Sequence, residues 1–175
     1  MKNVTLFAIV TTVAFAFALP TPGALAQEKQ RVSIKVPAAN TKYTQQHVID
    51  AGDAPGHQIR IFELHRTYTG NQPVINGLKL VENWSRGFSD YTDGNGLNPG
   101  YSEYVLENGD KFFTRFTCVA ASPGEGKIDT TCTAQITGGT GKLSNIRGVI
   151  RSSNKADPKS GFNENQAEIE YYMAK

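Results

Sequence analysis

The sequence contains few cysteines and histidines, and this shortage excludes several kinds of site. Of its 175 residues, two are cysteine and three are histidine. A zinc site needs three or four ligands that converge, and the spacing of these residues shows no such cluster. The formal net charge is only +2 and no basic block stands out, so nucleic acid is not an expected partner. We expect neither a metal nor another cofactor.

Catalytic and helical signatures are also absent. There is no nucleophile elbow and no serine triad pattern, and Gly138-Gly139-Thr140-Gly141 lacks the Lys-Ser/Thr continuation of a phosphate-binding loop. No window of ten or more residues carries apolar side chains at helical spacing. The glycine run is therefore interpreted as a tight turn between strands.

One long apolar run is present, and it lies at the N-terminus. Lys2 precedes the uncharged run Val4 to Leu19, and Ala24-Leu25-Ala26 follows two prolines and a glycine. This order is typical of a secretory signal peptide cleaved after Ala26. The alternative is a membrane anchor, but the run is shorter than the roughly 20 residues of a spanning helix. We expect a secreted or periplasmic protein whose mature form has no membrane span.

The rest of the chain is rich in strand signals at short spacing. Strands are predicted at 31–36, 58–68, 78–89, 101–106, 111–120, 127–137, 146–152 and 167–173. Without crossover helices, this count favours an up-and-down barrel or a sandwich. A barrel also removes the exposed edges that invite aggregation. We therefore expect an all-β barrel domain over 57–175.

Two segments are predicted to be loop. Residues 37–56 are interpreted as loop with a short helical turn near 45–49, within an N-terminal extension over 27–56 that carries one short strand. Residues 93–100, which hold three glycines, are interpreted as a second loop.

The two cysteines flank a predicted turn at 122–126. If strands 111–120 and 128–137 form a hairpin, Cys118 and Cys132 fall opposite each other and can form a disulfide. A reactive thiol pair is the alternative, but there is no CxxC and no flanking His or Lys that would lower a thiol pKa.

Two carboxylates fall among apolar neighbours. Glu63 shares a strand face with His65, and Glu82 interrupts an apolar face that also carries Trp84. Burial would raise a carboxyl pKa and prepare the group for acid/base chemistry, with His65 as a proton relay. The alternative is that each glutamate lies on an outer face and pairs with an arginine.

Aromatic side chains lie on or beside most strands. If the barrel leaves a cavity, these rings favour a flat or lipid-like ligand. The expected lining includes Glu82, Trp84, Tyr104, Phe112, Phe116 and Tyr171.

Residues 134–148 (AQITGGTGKLSNIRG) resemble the glycine-turn segment of the allene oxide cyclase barrel superfamily, of which dirigent proteins share a looser version. Residues 61–66 (IFELHR) resemble the first barrel strand of the plant cyclases. Over 57–174 the resemblance implies an eight-stranded antiparallel barrel with a largely apolar cavity. The family is often trimeric, which allows a homo-oligomer here, a dimer or a trimer.

The resemblance also implies site residues. Glu63 matches the buried glutamate of the family, and Pro73 approaches the position of a cavity-rim proline. His65 stands where the family has asparagine, which weakens the transfer of the cyclase activity. The favoured function is therefore binding of a small hydrophobic molecule in the lumen. The alternatives are a cofactor-free cyclase or isomerase using Glu63 and His65, and a dirigent-like guide for radical coupling.

Overall fold

The computed structural model describes residues 28–175, which form an all-β fold. The predicted signal peptide, 1–26, lies outside the described residues. Ten strands are β1 (Gln30–Val36), β2 (Thr41–Asp50), β3 (His57–Thr67), β4 (Val74–Ile75), β5 (Leu78–Thr92), β6 (Asn95–Leu106), β7 (Lys111–Gly124), β8 (Lys127–Gly139), β9 (Ile146–Asp157) and β10 (Phe162–Met173). Short 3-10 turns occupy Ala38–Asn40 and Gly141–Leu143.

The strands form one antiparallel sheet in the order β1-β10-β9-β8-β7-β6-β5-β3-β2, and the short β4 pairs with β5 outside this path. Within residues 28–175, the end strands β1 and β2 form no ladder with each other. The sheet therefore has ten strands and is open, which corrects the prediction of a closed eight-stranded barrel. Closure depends on how the two end strands pair, and a strand count does not contain that information.

Side chains nevertheless connect the two ends of the sheet. Arg66 on β3 donates hydrogen bonds from Nη2 to Oδ1 of Asn154 on β9, at 3.2 Å, and of Asn163 on β10, at 3.0 Å. Asn163 Nδ2 in turn donates to the hydroxyl of Tyr43 on β2, at 3.1 Å. The sheet thus curls until strands near its opposite ends face each other across a lumen.

The alternation of β8 shows which face lies inside. Buried and exposed residues alternate along this strand, and the buried set is Ile128, Thr130, Cys132, Ala134 and Ile136. Cys118 on β7 pairs directly with Cys132, with a Cα–Cα distance of 4.0 Å, and the two form a disulfide. The predicted disulfide is confirmed.

Two predicted loops are corrected. Within 37–56, β2 occupies Thr41–Asp50 and pairs with β3, so the predicted helical turn is a strand. Within 93–100, Asp93 and Gly94 alone form the turn, and Thr92 and Asn95 already pair. Both turn residues have positive φ, 50° and 78°, which is the geometry of a tight Asp-Gly hairpin.

The glycine run at 138–141 ends β8 and leads into the turn Gly141–Leu143, as predicted. At Gly139, a Cβ atom would lie 2.5 Å from the carbonyl oxygen of Leu143 and 2.6 Å from that of Lys111. Close backbone approach therefore explains this glycine, and the motif makes a turn.

The main apolar core fills one end of the lumen. Among its fully buried side chains are Ile75, Leu80, Leu106, Phe112, Ile136 and Ile169. These residues lie on β4 and at the ends of β5 to β10 that surround the glycine turn. The opposite end of the lumen has only a small apolar cluster, Tyr91, Ala120 and Ile128.

Candidate ligand-binding site

A β-bulge decides which side chains of β5 reach the lumen. The register between β5 and β6 shifts between Leu80 and Glu82. A bulge adds one residue and turns the following side chains to the other face. Leu80 therefore points inward, but the next inward residues are Asn83 and Ser85, and Glu82 and Trp84 do not line the lumen.

Between the apolar core and the opposite end, the lumen contains a cavity of about 90 Å³. Its wall is mixed. Apolar and aromatic lining comes from residues such as Phe62, Leu64, Tyr104, Phe116 and Ile150, and polar lining comes from Arg66, Asn83, Ser85, Ser102, Thr114, Asn154 and Asn163. The wall is therefore less apolar than the predicted cavity.

The polar lining forms a partly satisfied network. The hydroxyls of Ser85 and Ser102 are hydrogen bonded at 2.8 Å, and Ser85 Oγ also donates to Asn83 Oδ1 at 3.1 Å. Thr114 Oγ1 and Asn98 Oδ1 are buried without a hydrogen-bond partner among the described residues. Because buried polar groups are normally paired, these two atoms mark places where a ligand can bond.

Arg66 is the most unusual residue of the lining, because it is buried and charged. Its hydrogen bonds run to the amide oxygens of Asn83, Asn154 and Asn163, and its Nε is buried without a partner among the described residues. Burial lowers the pKa of the Arg66 guanidinium because desolvation disfavours the charged form.

The cavity meets a larger surface groove at the end away from the core. Arg60, Tyr91 and Ile128 line both spaces. The groove has a volume of about 760 Å³ and is bordered by the turns near residues 56, 93–94, 122–126 and 158–159. This end of the lumen is therefore its mouth.

Among the predicted lining residues, Tyr104 and Phe116 line the cavity. Phe112 lies in the adjacent core, with its ring stacked on that of Tyr104 at a centroid distance of 4.4 Å. Tyr171 is also in the core, where its hydroxyl accepts from the backbone N–H of Asn76. Pro73 lies in an outer groove instead.

Glu63 and His65 do not line the lumen, which corrects their predicted place in a closed cavity. On β3 the lumen side is formed by Arg60, Phe62, Leu64 and Arg66, so residues of the other parity point outward. Glu63 accepts hydrogen bonds from Thr44 Oγ1 at 2.7 Å and Arg86 Nε at 2.8 Å. The Thr44 hydroxyl, and then Arg86, hold the pKa of Glu63 below its usual value, not above it.

His65 and Glu82 pair with each other on the outer face. His65 Nε2 lies 2.8 Å from Glu82 Oε2, and the imidazole stacks on the ring of Trp84 at 3.9 Å. Three predicted site residues therefore form one outer cluster, on the opposite face of the sheet from the cavity lining.

The residues that make the lumen polar were not predicted from the sequence. Along β3, Arg60 and Arg66 have the same parity as Phe62 and Leu64. The sequence therefore already places both arginines on one face with apolar side chains. Asn154, Asn163 and Asn165 lie between the predicted strands 146–152 and 167–173, but they belong to β9 and β10, which are longer than predicted. Asn163 and Asn165 are two positions apart and so share one face of a strand, which is the signal that could have identified these two.

In residues 28–175, no helix is long and apolar enough to span a membrane. The same residues contain no group of three or more His, Cys, Asp or Glu side chains that could hold a metal ion.

No family model matches the sequence, and no curated protein matches it. Solved structures with a similar fold include the following two. One is described as pyocyanin demethylase, with 17% identity and a TM-score of 0.40 over 79% of this chain and 98% of that chain. The other is a pterocarpan synthase dirigent protein, with 12% identity and a TM-score of 0.47 over 93% of this chain and 100% of that chain. At these scores, neither likeness bears on what this chain does.

Proposed function

We propose that this protein binds a small organic molecule in its lumen and does not turn it over. The observation that carries the proposal is a cavity whose wall combines aromatic rings with polar atoms that have no hydrogen-bond partner in residues 28–175, namely Thr114 Oγ1, Asn98 Oδ1 and Arg66 Nε. A ligand that has both an apolar body and polar atoms would satisfy the wall. Burial of the aromatic surface would supply the affinity, and the polar atoms would set the orientation.

Binding is favoured over the cyclase alternative by the chemistry of the lining. Among the described residues, the cavity wall contains no Asp, Glu or His. Tyr104 and Tyr91, which face it, are poor proton donors, since burial raises the pKa of Tyr104 to about 12 and also raises that of Tyr91. A general acid or base works best with a pKa near the operating pH, and this wall presents no such group.

A pair of adjacent substitutions tests the location of binding. Ala134→Leu adds three carbon atoms to a lumen-facing side chain, whereas Gln135→Leu makes its change on the exposed outer face. We expect calorimetric binding of small organic probes such as butyrate and butyramide to the wild type and to Gln135→Leu. Ala134→Leu should no longer bind these probes. Unchanged binding in a folded Ala134→Leu protein would place the ligand outside the lumen.

We also propose that the protein is exported and that the chain is cut after Ala26. The Cys118–Cys132 disulfide supports export, because disulfides persist in oxidising compartments. Intact mass and N-terminal sequencing of protein from its own host should show a mature chain starting at Gln27. An intact N-terminus on all of the protein would contradict this.

A homo-oligomer is proposed through the outer face of the sheet. Ile61 pairs with Phe88 across β3 and β5, Leu97 pairs with Val119 across β6 and β7, and all four are exposed. A second copy would cover this apolar face, here called the outer apolar face. Such patches mark interaction sites. Sedimentation should show an assembly in the wild type and a monomer in Ile61→Lys. A wild type that stays monomeric at high concentration would refute the proposed homo-oligomer.

A distant kinship with the allene oxide cyclase-like barrels remains our proposal. The glycine turn after β8 supports it, because the turn has the tight backbone geometry that the shared motif implies.

A further inference from the structure

We propose that the lumen selects an anionic ligand and binds its carboxylate at Arg66. The inference rests on the proposed function, since it names the chemical class that the lumen accepts. The ligand is a short organic acid, or a longer molecule that inserts its acid end.

The charge balance of the cavity is the first observation. Two arginines, Arg60 and Arg66, line it, and none of the lining residues within 28–175 is acidic. Buried charges in proteins are normally paired, because desolvation of an isolated ion is costly. Asn83, Asn154 and Asn163 offer Arg66 only neutral amide oxygens. They satisfy donors but leave the positive charge without a counter-charge.

The unused donors of Arg66 are the second observation. A guanidinium has five N–H donors, and three hydrogen bonds are present, of which the one from Nη1 to Asn83 Oδ1 is long at 3.4 Å. Among the described residues, Nε is buried without a partner. Arginine and a carboxylate match in geometry and charge, so a carboxylate can use donors that the asparagines leave free.

Arg60 extends the positive charge to the mouth. Its guanidinium lies over the rings of Tyr43 and Phe62, at 5.4 and 5.3 Å from their centroids, and Nη1 donates to Gln46. Its Nε is also buried without a partner among the described residues. The groove itself carries both signs of charge, from Asp93, Glu125 and Lys159. An anion that enters from it passes Arg60 before it reaches Arg66, and from Arg60 inward the lining has no acidic residue among the described residues.

The volume of the cavity limits what can enter. About 90 Å³ is less than the about 150 Å³ of an engineered apolar cavity that binds benzene. A molecule of drug size needs roughly 300–1,000 Å³. The cavity therefore accepts a group of a few non-hydrogen atoms, and any larger body must remain in the groove of about 760 Å³ at the mouth.

Arg66 could instead serve only to join β3 to β9 and β10. That role predicts loss of stability on substitution and no preference between charged and neutral ligands. Ligand preference therefore distinguishes the two roles, and stability alone does not.

The test compares acids with their neutral amides on the full mature protein. The probes are butyrate against butyramide and benzoate against benzamide, measured by calorimetry in the wild type and in three variants. Arg66→Met removes the charge, and Arg66→Lys keeps the charge without the planar fork. Arg115→Met is the matched control, because Arg115 is exposed on the outer face of β7.

We expect each acid to bind the wild type about tenfold or more tightly than its amide, as a hydrogen bond to a charged group implies. Arg66→Met should abolish the preference, Arg66→Lys should reduce it, and Arg115→Met should keep it. The preference should persist at high salt, because buried pairs are screened less than surface pairs.

Each other outcome overturns a defined statement. If neither acids nor amides bind, the proposed lumen binding fails with the inference. If both bind the wild type equally, lumen binding stands and the anion preference is wrong. An equal preference in Arg66→Met removes Arg66 as its cause. Should Arg66→Met not fold, the wild-type ratio and Arg66→Lys still decide the question.

Discussion

At the scale of single residues, a pair of glycines shapes the inner wall. Gly87 on β5 and Gly100 on β6 pair directly, and the ring of Phe116 lies against them. A Cβ atom on Gly100 would lie 2.3 Å from Phe116 Cζ and 2.4 Å from the carbonyl oxygen of Arg86. The absence of a side chain at this position therefore admits an aromatic ring to the cavity wall.

Gly100→Ala should lower the stability by about 1–3 kcal/mol, the range for overpacked cores. In a domain of this size, that corresponds to a fall in Tm of roughly 2–4 °C per kcal/mol. Thermal unfolding of Gly100→Ala can be compared with Thr117→Val, a change on the exposed face of β7. Equal Tm values for the two variants and the wild type would show that Phe116 does not need this space.

His57 joins the turn after β2 to β5. Its Nδ1 meets Asp53 Oδ1, and its Nε2 lies 2.7 Å from Asp90 Oδ1. Asp90, and then Asp53, raise the pKa of His57 because they favour the imidazolium. The stability that the contacts of His57 with the two aspartates contribute is complete below the unfolded pKa of about 6.5. It is lost as the pH rises through the higher folded pKa.

We therefore expect Tm to fall as the pH rises above about 6.5 and this part of the fall to vanish in His57→Gln. His47→Gln, on exposed β2, is the control and should keep the wild-type pH profile. A His57→Gln profile that parallels the wild type would show that the two aspartates do not stabilise the folded state through His57.

At the scale of elements, the register of the hairpin that carries the cysteines was predictable, and the β-bulge in β5 was not. The Cys118–Cys132 pairing follows from strand alternation about a central turn, so the sequence was sufficient for it. On β5, the same alternation runs through Leu80, Glu82 and Trp84 without any mark of the bulge that turns the last two outward. The site prediction failed there because one extra residue reverses every later side chain.

The disulfide should contribute about 3 kcal/mol, since it closes a loop of 14 residues. Reduction should therefore lower the midpoint of denaturant unfolding in the wild type. The double variant Cys118→Ala/Cys132→Ala should start from the lower midpoint and not respond to reductant. A response of the double variant would mean that reductant acts elsewhere than on the bridge.

At the scale of the whole molecule, the all-β class and the strand order after β5 followed from local patterns. The open ladder and the polar lumen did not, because both depend on contacts between distant residues such as Arg66 and Asn163, which are 97 positions apart. Sequence periodicity assigns Arg66 to one face of β3. Only the curled sheet shows that the cavity on this side is lined by no carboxylate among the described residues.

The central claim is that the cavity between the apolar core and the mouth is the binding site. The most direct measurement is an NMR titration of the mature protein with benzoate, in which backbone amides and arginine Nε–H resonances are followed together. The account predicts saturable shifts of Arg66 Nε–H and of amides at Thr114 and Phe116, while Arg115 Nε–H stays unchanged. Shifts confined to outer-face residues, with Arg66 unaffected at saturation, would contradict it.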